Sequence, residues 1–128
     1  MFDKLQIFQL VGGMARHAGV RQNVIAQNIA NTDTPGYKSQ DITPFAHAVE
    51  DRASFGLRST RSGHVTDGGV SGRWEVQRVR GGSNQPNGNS VSVETEMVKA
   101  AETQQQHATA LNVYRSAMDI LTISLGQR

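Results

Sequence analysis

Cysteine is absent from the 128 residues, which rules out disulfide bonds and thiolate-held metals and leaves the redox compartment open. Only seven side chains are aromatic, and apolar residues make up 37%, below the roughly 45–50% of ordinary globular domains. A large self-sufficient core is not expected. No run reaches the ~18 apolar residues of a membrane span. The opening "MFDKLQIFQLVGGMARHAGV" lacks the basic start, apolar stretch and small-residue cleavage site of a secretory signal. If the chain leaves the cytoplasm, a route that reads no cleavable signal is expected. Its length corresponds to one domain by the usual prior of roughly 100–200 residues.

What is present is helical periodicity at both ends. From Lys4 to about Asn31 there is no proline, and Phe8, Val11, Ala15, Ala18, Gln22, Ile25 and Ile29 step alternately by three and four. This is the seam of an amphipathic helix able to pack lengthwise on another. Gly12 and Gly13 interrupt it and predict fraying of the first turns. At the other end Val93, Met97, Ala100, Gln104, His107, Leu111, Tyr114, Met118, Leu121 and Leu125 keep a 3.5-residue repeat for more than four heptads. Such a repeat favours a superhelical seam. Ser92 is the expected N-cap, with Glu94 and Glu96 complementing the positive helix end.

The predicted fold is mainly α. An assembly helix spans 1–33, a turn and extended or loop middle arm 34–90, and a second assembly helix 91–128. The glycine- and arginine-rich middle holds one strand-like island, "RWEVQRV", read as a short hairpin or nothing stable. Burial along the two seams falls short of the ordering cost of a lone protomer, so neighbouring subunits are expected to supply the rest.

The stretch "NIANTDTPGYK" ends the first helix abruptly. Asn31 tolerates the left-handed conformation that closes helices, and Pro35 disfavours helical geometry at Thr34. Thr34-Pro35-Gly36-Tyr37 fits a type II turn, with positive φ at Gly36. Asn28 and Asn31, three apart on one face, could bond the turn's free backbone groups, and Tyr37 would bury its ring with its hydroxyl wet.

The string "NVIAQNIANTDTPGYK" resembles the signature of the flagellar basal-body rod protein family: Asn28, Ile29, Ala30 and Asn31, then Thr34, Pro35, Gly36 and Tyr37 after a two-residue gap, match it position by position. "GNSVSVETEMVKAAETQ", centred on Glu96-Met97, resembles the stretch these proteins carry before their final helix, and short length makes the proximal rod members the best match. The resemblance implies a structural subunit of the rod that spans the periplasm, exported by the flagellar type III apparatus and polymerised by its terminal helices. It also implies other rod proteins, the hook-basal-body adaptor, the export gate and the membrane-ring protein as neighbours. Gln104 and His107 depart from the apolar pattern.

Residues able to carry chemistry are not clustered. The four histidines fall in separate segments, Glu94 and Glu96 sit on different helix faces, and the glycine-rich stretches lack phosphate-loop spacing. An enzyme, a cofactor and a small-molecule substrate are therefore not expected. Six arginines between 52 and 80 give that segment a net +4, which could serve nucleic acid, but Phe55 and Trp74 alone are available for base stacking. Trp74 is instead expected to dock on a neighbouring subunit. The rival to a rod subunit is a soluble coiled-coil adaptor.

Overall fold

The computed structural model describes residues 2–54, 74–79 and 85–126. Two long helices dominate it, α1 at Phe2–Ala30 and α3 at Val93–Ser124, with a ten-residue helix α2 at Phe45–Ser54. At 1.5 Å per residue α3 is about 48 Å long. The long helices run antiparallel, because Asn28 meets Glu96 near one end and Phe8 meets Tyr114 edge-on, ring centroids 5.3 Å apart, towards the other. β1 at Gln40–Ile42 and β2 at Val76–Arg78 form a two-stranded antiparallel sheet, Gln40 opposite Arg78 and Ile42 opposite Val76.

Several expectations hold locally. Ser92 caps α3 with extended backbone geometry, its Oγ accepting from Thr95 N–H at 3.5 Å and donating to Glu94 at 2.8 Å. The exposed Glu94 carboxyl is held below its usual range by its own backbone N–H and the Ser92 hydroxyl. Gly36 has φ +74, and Tyr37 N–H donates to Thr34 O at 3.3 Å, closing the type II turn.

Others are corrected. α1 is continuous through Gly12 and Gly13, and Gly13 is buried, so packing overrides the propensity cost. The strand-like island pairs with residues 40–42, more than thirty positions earlier, and not with a hairpin neighbour. The middle arm contains α2, which begins just after Pro44, where a missing N–H costs nothing. Among the described residues positive φ occurs only at Gly36, Gly88 and Gly126, so Asn31 does not adopt the left-handed cap. Of the arginine cluster, Arg58, Arg61, Arg73 and Arg80 lie outside the described residues.

The core is narrow. Val11, Ala18, Val24 and Ile25 of α1, with Ile42, Val91 and Ala110, are its buried apolar residues among those described. An equal number of buried polar residues accompanies them, among them His17, Asn28, Asn89, Glu96 and Thr103. A core so rich in polar groups holds only if each is paired. Among the described residues every buried side-chain nitrogen and oxygen is.

Candidate assembly site

The corner that follows α1 is built from polar side chains of three segments. Asn28 is fully buried: its Oδ1 accepts from Gln40 N–H at 3.1 Å, and its Nδ2 donates to Gln40 O at 2.6 Å and to Glu96 Oε2 at 2.9 Å. The other Glu96 oxygen accepts from Ser39 Oγ at 3.2 Å and from Lys99 Nζ at 2.8 Å. A carboxylate 1% exposed is thereby compensated by three donors, one of them the Lys99 cation. Tyr37 turns its hydroxyl inward to Asn28 Oδ1 at 3.4 Å, correcting the expectation of a wet one.

Asn89 closes the same corner from the segment before α3. Its Nδ2 lies 2.9, 2.7 and 2.9 Å from the carbonyl oxygens of Asn31, Thr32 and Thr34, and its Oδ1 accepts from Val91 N–H at 2.8 Å. Those carbonyls belong to the chain just past α1, so a distant asparagine fixes the exit from the helix. The acceptors of the last helical turn are met locally: Asn31 N–H reaches Gln27 O and Asn28 O at 3.2 and 3.1 Å, Thr32 N–H reaches Ile29 O at 3.2 Å, and the Asn31 amide bonds Gln27 O at 2.8 Å, without a left-handed residue. Gly36 N–H donates to Asn87 O at 3.0 Å, and Gly88, at φ +79, lies so close that a Cβ on it would sit 3.6 Å from Gly36 Cα.

Beside the corner, Arg21 grips Asp41 with two bonds of 3.0 and 3.1 Å, and Lys99 stands 3.9 Å from the same carboxylate. Burial would raise the Asp41 carboxyl, but Arg21, the Ile42 N–H and Lys99 outweigh it and hold the group below its usual range. His17 is buried and bonds Thr43 O at 2.8 Å; Phe45 and Trp74 pack on its ring at 5.7 and 4.7 Å. Burial pushes the imidazole below its ordinary value, aided by the Arg21 charge, against the pull of Thr43 O and Asp41. Trp74, half-buried, thus rests on His17 and Phe45 of its own chain.

The predicted seam divides. On α1, Val11, Ala18 and Ile25 are buried, while Ile29 is exposed and His17, Val24 and Asn28 are buried in addition. α1 serves two neighbours, α3 on one side and the corner with its strand on the other, so its buried arc is wider than a two-helix seam. On α3 the first five turns bury Glu96, Thr103 and Ala110, each one residue before the predicted Met97, Gln104 and Leu111. Val93, Ala100 and Leu121 are half-buried; Met97, Leu111, Tyr114, Met118 and Leu125 are exposed. Val98, Val113, Ile120 and Ile123 are exposed as well.

At about 100° per residue, these exposed side chains fall into two stripes. Met97, Leu111, Met118 and Leu125 flank one side of the face that α3 turns to α1, and Val98, Val113, Ile120 and Ile123 form a second stripe between the other flank and the side turned away from α1. Sequence reasoning found the first stripe through its strict repeat. It missed the second, and it missed Ser39, Asn89 and the buried Glu96, because no periodic signal marks a polar residue that is buried by pairing.

Residues 10–38, running from α1 through the corner, match the family described as "Flagella basal body rod protein". The chain is 29% identical to the flagellar basal body rod protein FlgB of Agrobacterium fabrum over 88% of its own length and 87% of the relative's. It is 33% identical to FlgB of Cereibacter sphaeroides over 71% of both chains, and 32% identical to FlgB of Salmonella typhimurium over 77% of both.

Proposed function

The chain belongs to the flagellar basal body rod protein family, and we propose that it is a structural subunit of the proximal rod, exported by the flagellar type III apparatus and polymerised side by side through its terminal helices. The observation that carries this reading is the pair of apolar stripes on α3. Met97, Leu111, Met118 and Leu125 on one stripe and Val98, Val113, Ile120 and Ile123 on the other are all exposed, and apolar side chains grouped in this way, unlike scattered ones, mark an interaction site. A closed two-fold pair needs one self-complementary patch. Two separate flanks give each subunit a different neighbour on each side, the head-to-tail relation that builds tubes and filaments.

The same observation weighs against the soluble coiled-coil adaptor, which would cover one stripe and leave the other wet. The neighbours in this reading are copies of the chain and other rod proteins, with the hook-basal-body adaptor, the export gate and the membrane-ring protein at its ends and surface. The role is mechanical. No substrate, cofactor or nucleic acid enters it.

Detergent-extracted hook-basal bodies test the proposal. The protein is expected in those particles, and deletion of its gene is expected to remove the rod from their electron micrographs. Intact rods in the deletion strain would refute the proposal.

A further inference from the structure

Two stripes of α3 compete for α1, and the less apolar one wins. Glu96, Thr103 and Ala110 are buried, whereas Met97 and Leu111, each one residue further on, are 62% and 41% exposed. One residue corresponds to a rotation of about 100°. Hydrophobic stabilisation grows with the apolar area removed from water, so burial alone favours the opposite orientation, with Met97 and Leu111 turned inward. Something other than apolar burial sets the rotation.

We infer that the Glu96 carboxylate is a rotational lock that turns the apolar stripe of α3 away from α1 and keeps it free for another subunit. Only the second half of that statement rests on the assembly reading. Rotating α3 by one residue would carry Met97 to the place of Glu96, against Asn28 and Ser39, and take from the buried Ser39 hydroxyl and from one of the two Asn28 amide N–H groups the carboxylate that accepts from them. Those donors cannot follow the rotation. Asn28 is also bonded to both backbone groups of Gln40, and Ser39 N–H is held by Ser90 Oγ at 2.9 Å. Lys99, one turn on from Glu96, reinforces the same orientation by reaching Glu96 and Asp41 from the same side. A buried polar group that selects one packing arrangement against a more apolar alternative is a known device in helix pairs.

The inference gives Glu96 a specificity role. It chooses which residues of α3 are spent within the subunit and which remain for contacts between subunits. Without it, the helix pair would satisfy itself by consuming the surface that assembly needs.

The absence of cysteine makes a direct test available. Single cysteines at Ala110→Cys and Leu111→Cys report which residue faces α1 through their rates of maleimide labelling in the full-length chain. With Glu96 present, the cysteine at 110 is expected to react on the order of tenfold more slowly than that at 111, as burial protects it. Combined with Glu96→Leu, the order is expected to reverse while helix content, followed by circular dichroism, is retained. Glu96→Gln, which keeps the shape and an acceptor for Asn28, is expected to preserve the original order. Identical labelling in the two Glu96 variants overturns the lock, as does fast labelling of both cysteines in Glu96→Leu, which would make Glu96 a requirement for folding. The readout uses the isolated chain, so it stands or falls separately from rod incorporation.

Discussion

The two ends of the helix pair are stabilised by different chemistry. At the corner, Asn28, Ser39, Asn89 and Glu96 are buried and fully paired, and carbonyl groups of the turn that follows α1 are bonded by the Asn89 side chain from a distant segment. At the open end, Phe8 on Tyr114 is accompanied by exposed Ile7, Leu10, Ile120, Ile123 and Leu125. Hydrogen bonds are directional and must be completed within the subunit, so the corner is finished there. Apolar surface is non-directional and can wait for a neighbour. On the proposed function, the difference separates what the subunit settles alone from what it leaves to assembly.

The comparison predicts a graded response to substitution. The largest loss of stability is expected for Asn28→Ala, which takes a donor from buried Glu96 and both partners from Gln40; the bond to the charged carboxylate alone corresponds to about 1.5–3 kcal/mol, and the two backbone bonds are lost with it. Chemical denaturation measures it, and a loss below 1 kcal/mol would show the corner to be no stronger than the open end. Next comes Gly36→Val. A Cβ there meets no atom within 4 Å, so its expected cost of about 1–3 kcal/mol arises from positive φ alone.

Acid should loosen the aromatic clamp before it reaches the carboxylates. The folded-state pKa of His17 is lowered, so the unfolded chain binds the proton first, and the stability is present above the ordinary imidazole value of about 6.5 and lost as pH falls below it. Denaturation midpoints at pH 7.5 and 5.5 should differ in that direction, and His17→Gln should remove the difference. Asp41, also lowered, adds a second loss only below its ordinary value of about 3.9. The smallest effect on the isolated chain is expected for Leu111→Asp and Met118→Asp, within about 0.5 kcal/mol because both sites are exposed. In the cell the same substitutions should abolish incorporation into the rod, and normal motility would show that this stripe faces solvent there.

Legibility follows the same divide. The helices, the Ser92 cap and the type II turn at Gly36 could be read directly, because each depends on residues within four positions of one another. The pairing of residues 40–42 with 76–78 could not, because a three-residue strand carries too little pattern to name its partner. α2 is short and precedes a glycine- and serine-rich stretch, so its ten residues carry little periodic signal, although Pro44 followed by "FAHAVEDRAS" is a fair helix start. The packing of Trp74 on His17 and Phe45 could not be read either, because these residues lie 57 and 29 positions away in sequence.

By itself the sequence determined two long helices, an abrupt corner between the first helix and the chain that follows, and an apolar repeat too large for one small subunit to bury. Local φ and ψ preferences and hydrophobic periodicity suffice for these. Only the tertiary structure decided which stripe of α3 faces inward and which residues complete the corner. The reason is that Glu96 gains a buried place only when Asn28, Ser39 and Lys99 converge on it, and the cost or benefit of burying a charge is set by partners that the local sequence does not contain.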